Sequence, residues 1–135
     1  MHDTKIAILV EPTLETWQKL NVTAFLASGI TGALPQAMGE PYEDAAGRIH
    51  ARLLGHPMLI FAAGPDVLKR AWGQAIQRNL IRAGYVRAMF STNHDIANRE
   101  VFRAEPADGP DLVGIAIYGD KKDVDKAIKG ASLHP

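Results

Sequence analysis

The sequence predicts an α/β or mixed α+β protein folded as one domain. Four apolar stretches, 5-KIAILVE-11, 57-PMLIFAA-63, 86-VRAMFST-92 and 112-LVGIAIYG-119, have the length of strands. Most are continuously apolar instead of alternating, as strands covered on both faces are. Helical patterns separate them, which is the layout of a sheet flanked by helices. A chain of 135 residues suits a single domain able to bury about two thirds of the surface its unfolded form exposes.

Taken in order, the first strand follows 1-MHDT-4, a lead-in without the cationic region and long apolar core of a signal peptide, so no export is expected and a reducing cytoplasm is the default location. A helix is expected over about residues 14–34. Its small residues Ala24, Ala27, Ser28, Thr31 and Gly32 recur at helical spacing and make a face that a strand or second helix can approach closely. The uncharged run 20-LNVTAFLASGITGALPQAMG-39 has about the 20 residues a membrane helix needs. Asn21, Thr23, Ser28, Thr31, Gln36 and its glycine and proline residues make it too polar for that role, so no membrane partner is expected.

In 40-EPYEDAAGRIHARLLG-55, Arg48, His50 and Arg52 alternate with Ile49, Ala51 and Leu53. This period of two argues for an extended piece after a turn at 44-DAAG-47, with a short helix as the competing reading. Pro65 suits a first helical position and Gly84 a stop, giving a helix over 65–84 with Leu68, Ala71, Trp72, Ala75, Ile76 and Leu80 as its buried stripe. Thr92 and Asp95 have the spacing of a capping box ahead of a short helix. Residues 104-AEPADGPD-111 read as a surface loop, and 121-KKDVDKAIKGA-131 as a last helix behind Asp120 as N-cap.

Hydrophobic residues at 47% and charged residues at 22% exclude a disordered chain and a disulfide-dense miniprotein. The absence of cysteine removes thiolate metal sites and a cysteine nucleophile. Fifteen basic residues balance fifteen acidic ones, so attraction to nucleic acid has to come from a local patch. One such patch is the helix face carrying Lys69, Arg70, Arg78 and Arg82, which reads either as a phosphate-binding surface or as a solvated one. Histidines at 2, 50, 56 and 134 show no metal spacing, and no glycine motif matches a phosphate loop or dinucleotide fingerprint; neither metal nor cofactor is expected.

The densest polar cluster is 91-STNHD-95. A catalytic triad needs an imidazole between serine and carboxylate, but adjacent His94 and Asp95 on a helical turn point apart. Lys19 and Asn21 lie where the chain leaves the first strand for a helix, a common position for ligands in open sheets. If the strand at 86–92 neighbours the first, these residues meet Ser91, Thr92 and Asn93 across one crevice.

The segments 5-KIAILVE-11, 19-KLNVTAFLASG-29, 57-PMLIFAAG-64, 86-VRAMFS-91 and 112-LVGIAIYGDKKDVDK-126 resemble the type II peptidyl-tRNA hydrolase superfamily, and more closely an uncharacterised, mainly bacterial family of unknown function assigned to it. That resemblance implies a four-stranded mixed sheet flanked by helices, and often a homodimer. It also implies catalytic positions that are altered here. Lys19 falls on the first lysine of the superfamily's motif, Asn21 replaces its catalytic lysine, Phe25 its glutamine and Ser28 a downstream histidine; Ser91 aligns near its aspartate and Asp111 with its threonine. Asn21 carries no charge, so the same ester hydrolysis is not expected to survive unchanged.

The expectation is therefore a protein that binds a small or phosphate-bearing ligand, an RNA end included, through Lys19, Asn21, Thr92, Asn93 and Asp111. Hydrolysis of a peptidyl or aminoacyl ester is the alternative, with Lys19, Asn21, Ser91 and His94 as candidate catalytic residues. A non-catalytic homodimeric interaction protein is the third reading.

Overall fold

The computed structural model describes residues 3–135. The chain runs β1 (Thr4–Val10), α1 (Thr16–Gly32), β2 (Met38–Glu43), β3 (Ile49–Leu54), β4 (Met58–Ala62), α2 (Pro65–Gln77), β5 (Ile81–Val86), α3 (Asp95–Ala104), β6 (Leu112–Asp120), α4 (Lys121–Ala127) and β7 (Ser132–Leu133). Five strands form one mixed sheet in the order β5-β6-β1-β4-β7, with β1 and β4 parallel and the other neighbours antiparallel. The expectation of a four-stranded sheet is corrected by β7, whose two residues at the end of the chain pair with Phe61 and Ala62.

Alternation along β1 divides the core. Ala7 and Leu9 face α2 and α4, while Ile6, Ile8 and Val10 face α1. The strand is apolar throughout because both faces are covered. In β6 the alternation breaks: Val113 joins the α1 side, yet Ile115 and Ile117 face α2. A register shift where Tyr85 pairs with Gly114 but Val86 pairs with Leu112 leaves Val113 as the extra residue of a bulge.

The helix expected at 14–34 forms as α1, with a capping box in which the Glu15 backbone N–H donates to Gln18 Oε1 at 2.9 Å. The helix expected to run to Gly84 stops at Gln77. Asn79 takes the left-handed conformation there (φ 53°), a common way to end a helix, and Leu80 is buried beyond the helix. Gly84 is instead mid-strand in β5, where the Trp72 indole crosses it so closely that a Cβ would lie 3.0 Å from the ring. Ile76, assigned to the buried stripe, is 45% exposed.

The third strand lies at 81–86, not 86–92, because Arg87–Ser91 form a 3₁₀ turn. Met89 and Phe90 supply the apolarity of that segment by packing against the sheet from the turn. Residues 38–54 form the hairpin β2–β3, so the extended reading holds and the helical one does not; Gly47 provides the positive φ (84°) its turn requires. The last helix ends at Ala127, and Asp120 stands at its N-cap without a side-chain capping bond. No helix among the described residues is long and apolar enough to cross a membrane.

Candidate functional site

A groove of about 340 Å³ opens between the first half of α1 and the turn that follows β5. Three elements build it. From α1 come Trp17, Asn21 and Phe25, one helical turn apart; from β5 comes Tyr85; from the turn and α3 come Phe90, Thr92, Asn93, His94 and Asn98.

Aromatic rings form one wall. Trp17 meets Phe90 edge-on at 5.8 Å, Phe90 lies 5.3 Å from Tyr85, and Phe25 lies 6.2 Å from Tyr85. Trp17 and Phe25 nevertheless remain 60% and 56% exposed. At the centre, Asn21 Nδ2 donates to the Tyr85 hydroxyl at 3.0 Å. Burial raises the pKa of Tyr85, and the Asn21 bond opposes that shift in part.

The other wall is polar. The Thr92 hydroxyl donates to the Met89 carbonyl at 2.9 Å and contacts the Asn98 side chain. His94 is the N-cap of α3: its Nδ1 accepts the Ala97 backbone N–H at 3.1 Å. The expected capping box from Thr92 is thereby corrected, since the extended backbone residue before α3 is His94. That bond also fixes the tautomer. With Nδ1 accepting, the proton of a neutral ring sits on Nε2, which can donate to a ligand.

The groove continues between α1 and α3 along the free edge of β5, into a second space of about 690 Å³ bordered by Phe25, Ala83, Gly84, Asn98, Arg99 and Arg103. Arg99 is bonded to Asp95 at 2.8 Å, which raises its pKa, whereas Arg103 has no ion-pair partner among the described residues.

The residues singled out in the sequence divide among separate places. Asn21, Thr92, Asn93 and His94 line the groove. Lys19 lies on the opposite flank of α1, in a hollow of about 320 Å³ with Leu20, Thr23, Ile60 and His134. Ser91 is exposed at the end of the 3₁₀ turn and does not line the groove. Asp111 belongs to an ion cluster beyond the end of β1: Arg87 donates to Asp111 at 3.2 Å and to Glu11 at 2.9 Å, and Glu11 accepts from the Thr13 hydroxyl at 2.8 Å. Glu11 is 5% exposed, and its hydrogen bond with Arg87 is the main cause of that guanidinium's raised pKa.

Glu11 escaped sequence reasoning, although a carboxylate ending an apolar strand is the pattern that marks it. Trp17 and Phe90 also escaped, because an aromatic residue within an apolar helix or strand pattern ordinarily reads as core. The basic face of α2 does not converge on one point. Arg78 pairs with Asp123 at 2.8 Å, and Arg82 donates to the Leu80 carbonyl and lies over Trp72 at 5.9 Å. His2 lies outside the described residues, and among these no three His, Asp or Glu side chains gather to hold an ion.

A comparison with curated proteins gives no match. A solved structure, the protein of unknown function Atu0240 from Agrobacterium tumefaciens strain C58, is similar over the whole of both chains, with 42% identity and a TM-score of 0.96. The family model for the protein of unknown function DUF2000 matches residues 4–135, and the chain belongs to that family.

Proposed function

We propose that the protein binds a small planar ligand carrying an anionic group, with its ring in the aromatic groove and its charge directed along the free edge of β5. The observation that carries this reading is the Asn21–Tyr85 hydrogen bond in a groove that the exposed Trp17 and Phe25 also line. Aromatic faces stack on a ring without regard to its substituents, and amides such as those of Asn93 and Asn98 read donors and acceptors on its edge. Arg103, at the far end, suits a phosphate. A nucleobase with its phosphate has this chemistry, and so does the unpaired end of an RNA.

The likeness to type II peptidyl-tRNA hydrolases, carried by element order, is compatible with an RNA-end ligand in a cytoplasmic protein. No bond-breaking step is included. Asn21 stands where that superfamily has a lysine, and the capping bond of His94 leaves it no free acceptor nitrogen.

Titration calorimetry with nucleoside monophosphates, the parent nucleosides and inorganic phosphate tests this reading. Nucleotides are expected to bind, nucleosides more weakly, and phosphate alone least. Trp17→Ala is expected to weaken nucleotide binding by about 1–3 kcal/mol, the usual contribution of one stacked base. Absence of binding by every compound at millimolar concentration would end the proposal.

A further inference from the structure

The two edges of the five-stranded sheet are finished differently. At one edge β4 is capped by β7, which has only two residues, and a very short edge strand is a common protection against pairing with another chain. At the other edge stands β5, six residues long and paired with β6 alone. Every second residue of such a strand turns its N–H and C=O away from the sheet. Among the described residues nothing bonds to those outward groups along 81–85. The strand has no proline and no lysine to blunt it, and its one bulge lies at the far end, between Tyr85 and Val86.

Hollows flank this edge on both faces of the sheet. On the α1 face is the space of about 690 Å³ bordered by Phe25 and Arg103; on the α2 face is one of about 660 Å³ bordered by Trp72 and Arg82. Ala83 and Gly84 border both, so β5 is the partition between them. Each hollow therefore offers an aromatic ring and an arginine.

Those arginines are uncompensated. Arg82 donates to the Leu80 carbonyl at 3.1 Å and lies over Trp72, which holds the guanidinium beside the strand with most of its donors unused. Neither Arg82 nor Arg103 has an ion-pair partner among the described residues. The one carboxylate bordering either hollow, that of Asp95, is bonded to Arg99.

We propose that the β5 edge takes up a segment of a partner protein as an added strand, and that this segment is extended and acidic. Main-chain bonds to the outward groups of 81–85 hold it, as in other cases of strand addition. Side chains alternate between the faces of a strand, so one carboxylate for Arg103 and one for Arg82 come from residues one or three positions apart. Charge selects this occupant over a second copy of the chain, which would bring its own Arg82 to the edge; like charges across a strand pair are destabilising. The proposal does not rest on a ring in the Asn21–Tyr85 groove. The two readings share the hollow at Arg103, where peptide and nucleotide compete.

Fluorescence anisotropy of labelled synthetic heptapeptides, titrated with the full chain and with no nucleotide present, tests the proposal independently of the groove. The first peptide has two glutamates three positions apart among threonines and valines, which favour extended backbone. In one control the glutamates are two apart, and in the other lysines replace them. The first peptide is expected to bind, and each control at least about tenfold more weakly, the usual cost of losing a hydrogen bond to a charged group. Arg82→Glu is expected to reverse the preference, so that the lysine peptide binds better than the acidic one; damage to the fold would weaken both alike. Backbone pairing has its own signature: N-methylation of alternate peptide residues abolishes binding in one phase and spares it in the other. No binding of the first peptide at millimolar protein, equal binding of all three peptides, or tolerance of both N-methylation phases overturns the proposal. So does a dimer in sedimentation that Arg82→Glu breaks or strengthens, which makes a second copy the occupant.

Discussion

Replacing Gly114 with alanine probes how closely α1 lies on the sheet. An added Cβ would sit 2.5 Å from Val22 Cγ1, 2.9 Å from Leu26 Cδ1 and 3.2 Å from the Leu9 carbonyl oxygen. Carbon atoms in contact prefer about 3.5–4.0 Å, so something has to move by roughly 1 Å. Leu26 can turn aside. Val22 cannot, because a β-branched side chain in a helix has one strongly preferred rotamer and this one is fully buried. The Leu9 oxygen belongs to the β1 backbone, which is paired on both sides.

Overpacking typically costs about 1–3 kcal/mol, and with two rigid neighbours the upper half applies, about 2–3 kcal/mol. For a domain of this size that lowers Tm by about 10 °C. Urea denaturation followed by circular dichroism reads the loss directly. Val22→Ala in the same chain supplies the control: each substitution relieves the other, so the double variant is expected to lose at least about 1 kcal/mol less than the sum of the singles. A Gly114→Ala variant within about 0.5 kcal/mol of wild type, or strict additivity with Val22→Ala, would refute the reasoning. The groove geometry is coupled to the same displacement. Asn21 adjoins Val22, and lifting α1 draws its amide from the Tyr85 hydroxyl.

Two further outcomes are expected. His94→Ala removes the cap of α3, costing about 1 kcal/mol and speeding amide exchange at Ala97, whereas His94→Asn restores both; slower hydrolysis of simple esters in His94→Ala would instead point to a catalytic histidine. Tyr85 has a pKa raised by burial, so its neutral form is favoured by folding. Its contribution to stability is complete below the unfolded-state value near pH 10 and is lost as pH rises through the folded value; pH-dependent unfolding of wild type and Tyr85→Phe should diverge only in that alkaline window.

The chemistry of the groove was partly legible in the sequence. The position of Asn21 after the first strand and the polarity of 91–95 pointed to one place, and the groove contains Asn21, Thr92, Asn93 and His94. Lys19 was grouped with Asn21 because both follow the strand. On a helix, residues two apart point to different flanks, and with α1 seated on the sheet Asn21 and Lys19 border different hollows. Asp111 was aligned to the crevice, but the ladder past the bulge, where Val86 pairs with Leu112, sets Asp111 beside Arg87.

Local pattern alone determined the apolar strands β1, β4 and β6, the span of α1, the extended segment of β3 and the loop before β6, because periodicity and turn residues act within a few positions of themselves. It misplaced β5. Gly84 looked like a helix stop, but its role is to let Trp72 cross the strand, a contact between elements that no local pattern records. The tertiary structure likewise decided that Trp17 and Phe25 are open surface, while equally apolar Val22 and Leu26 are core. Helix spacing assigns residues to faces, but only the sheet beneath the helix determines which face is buried.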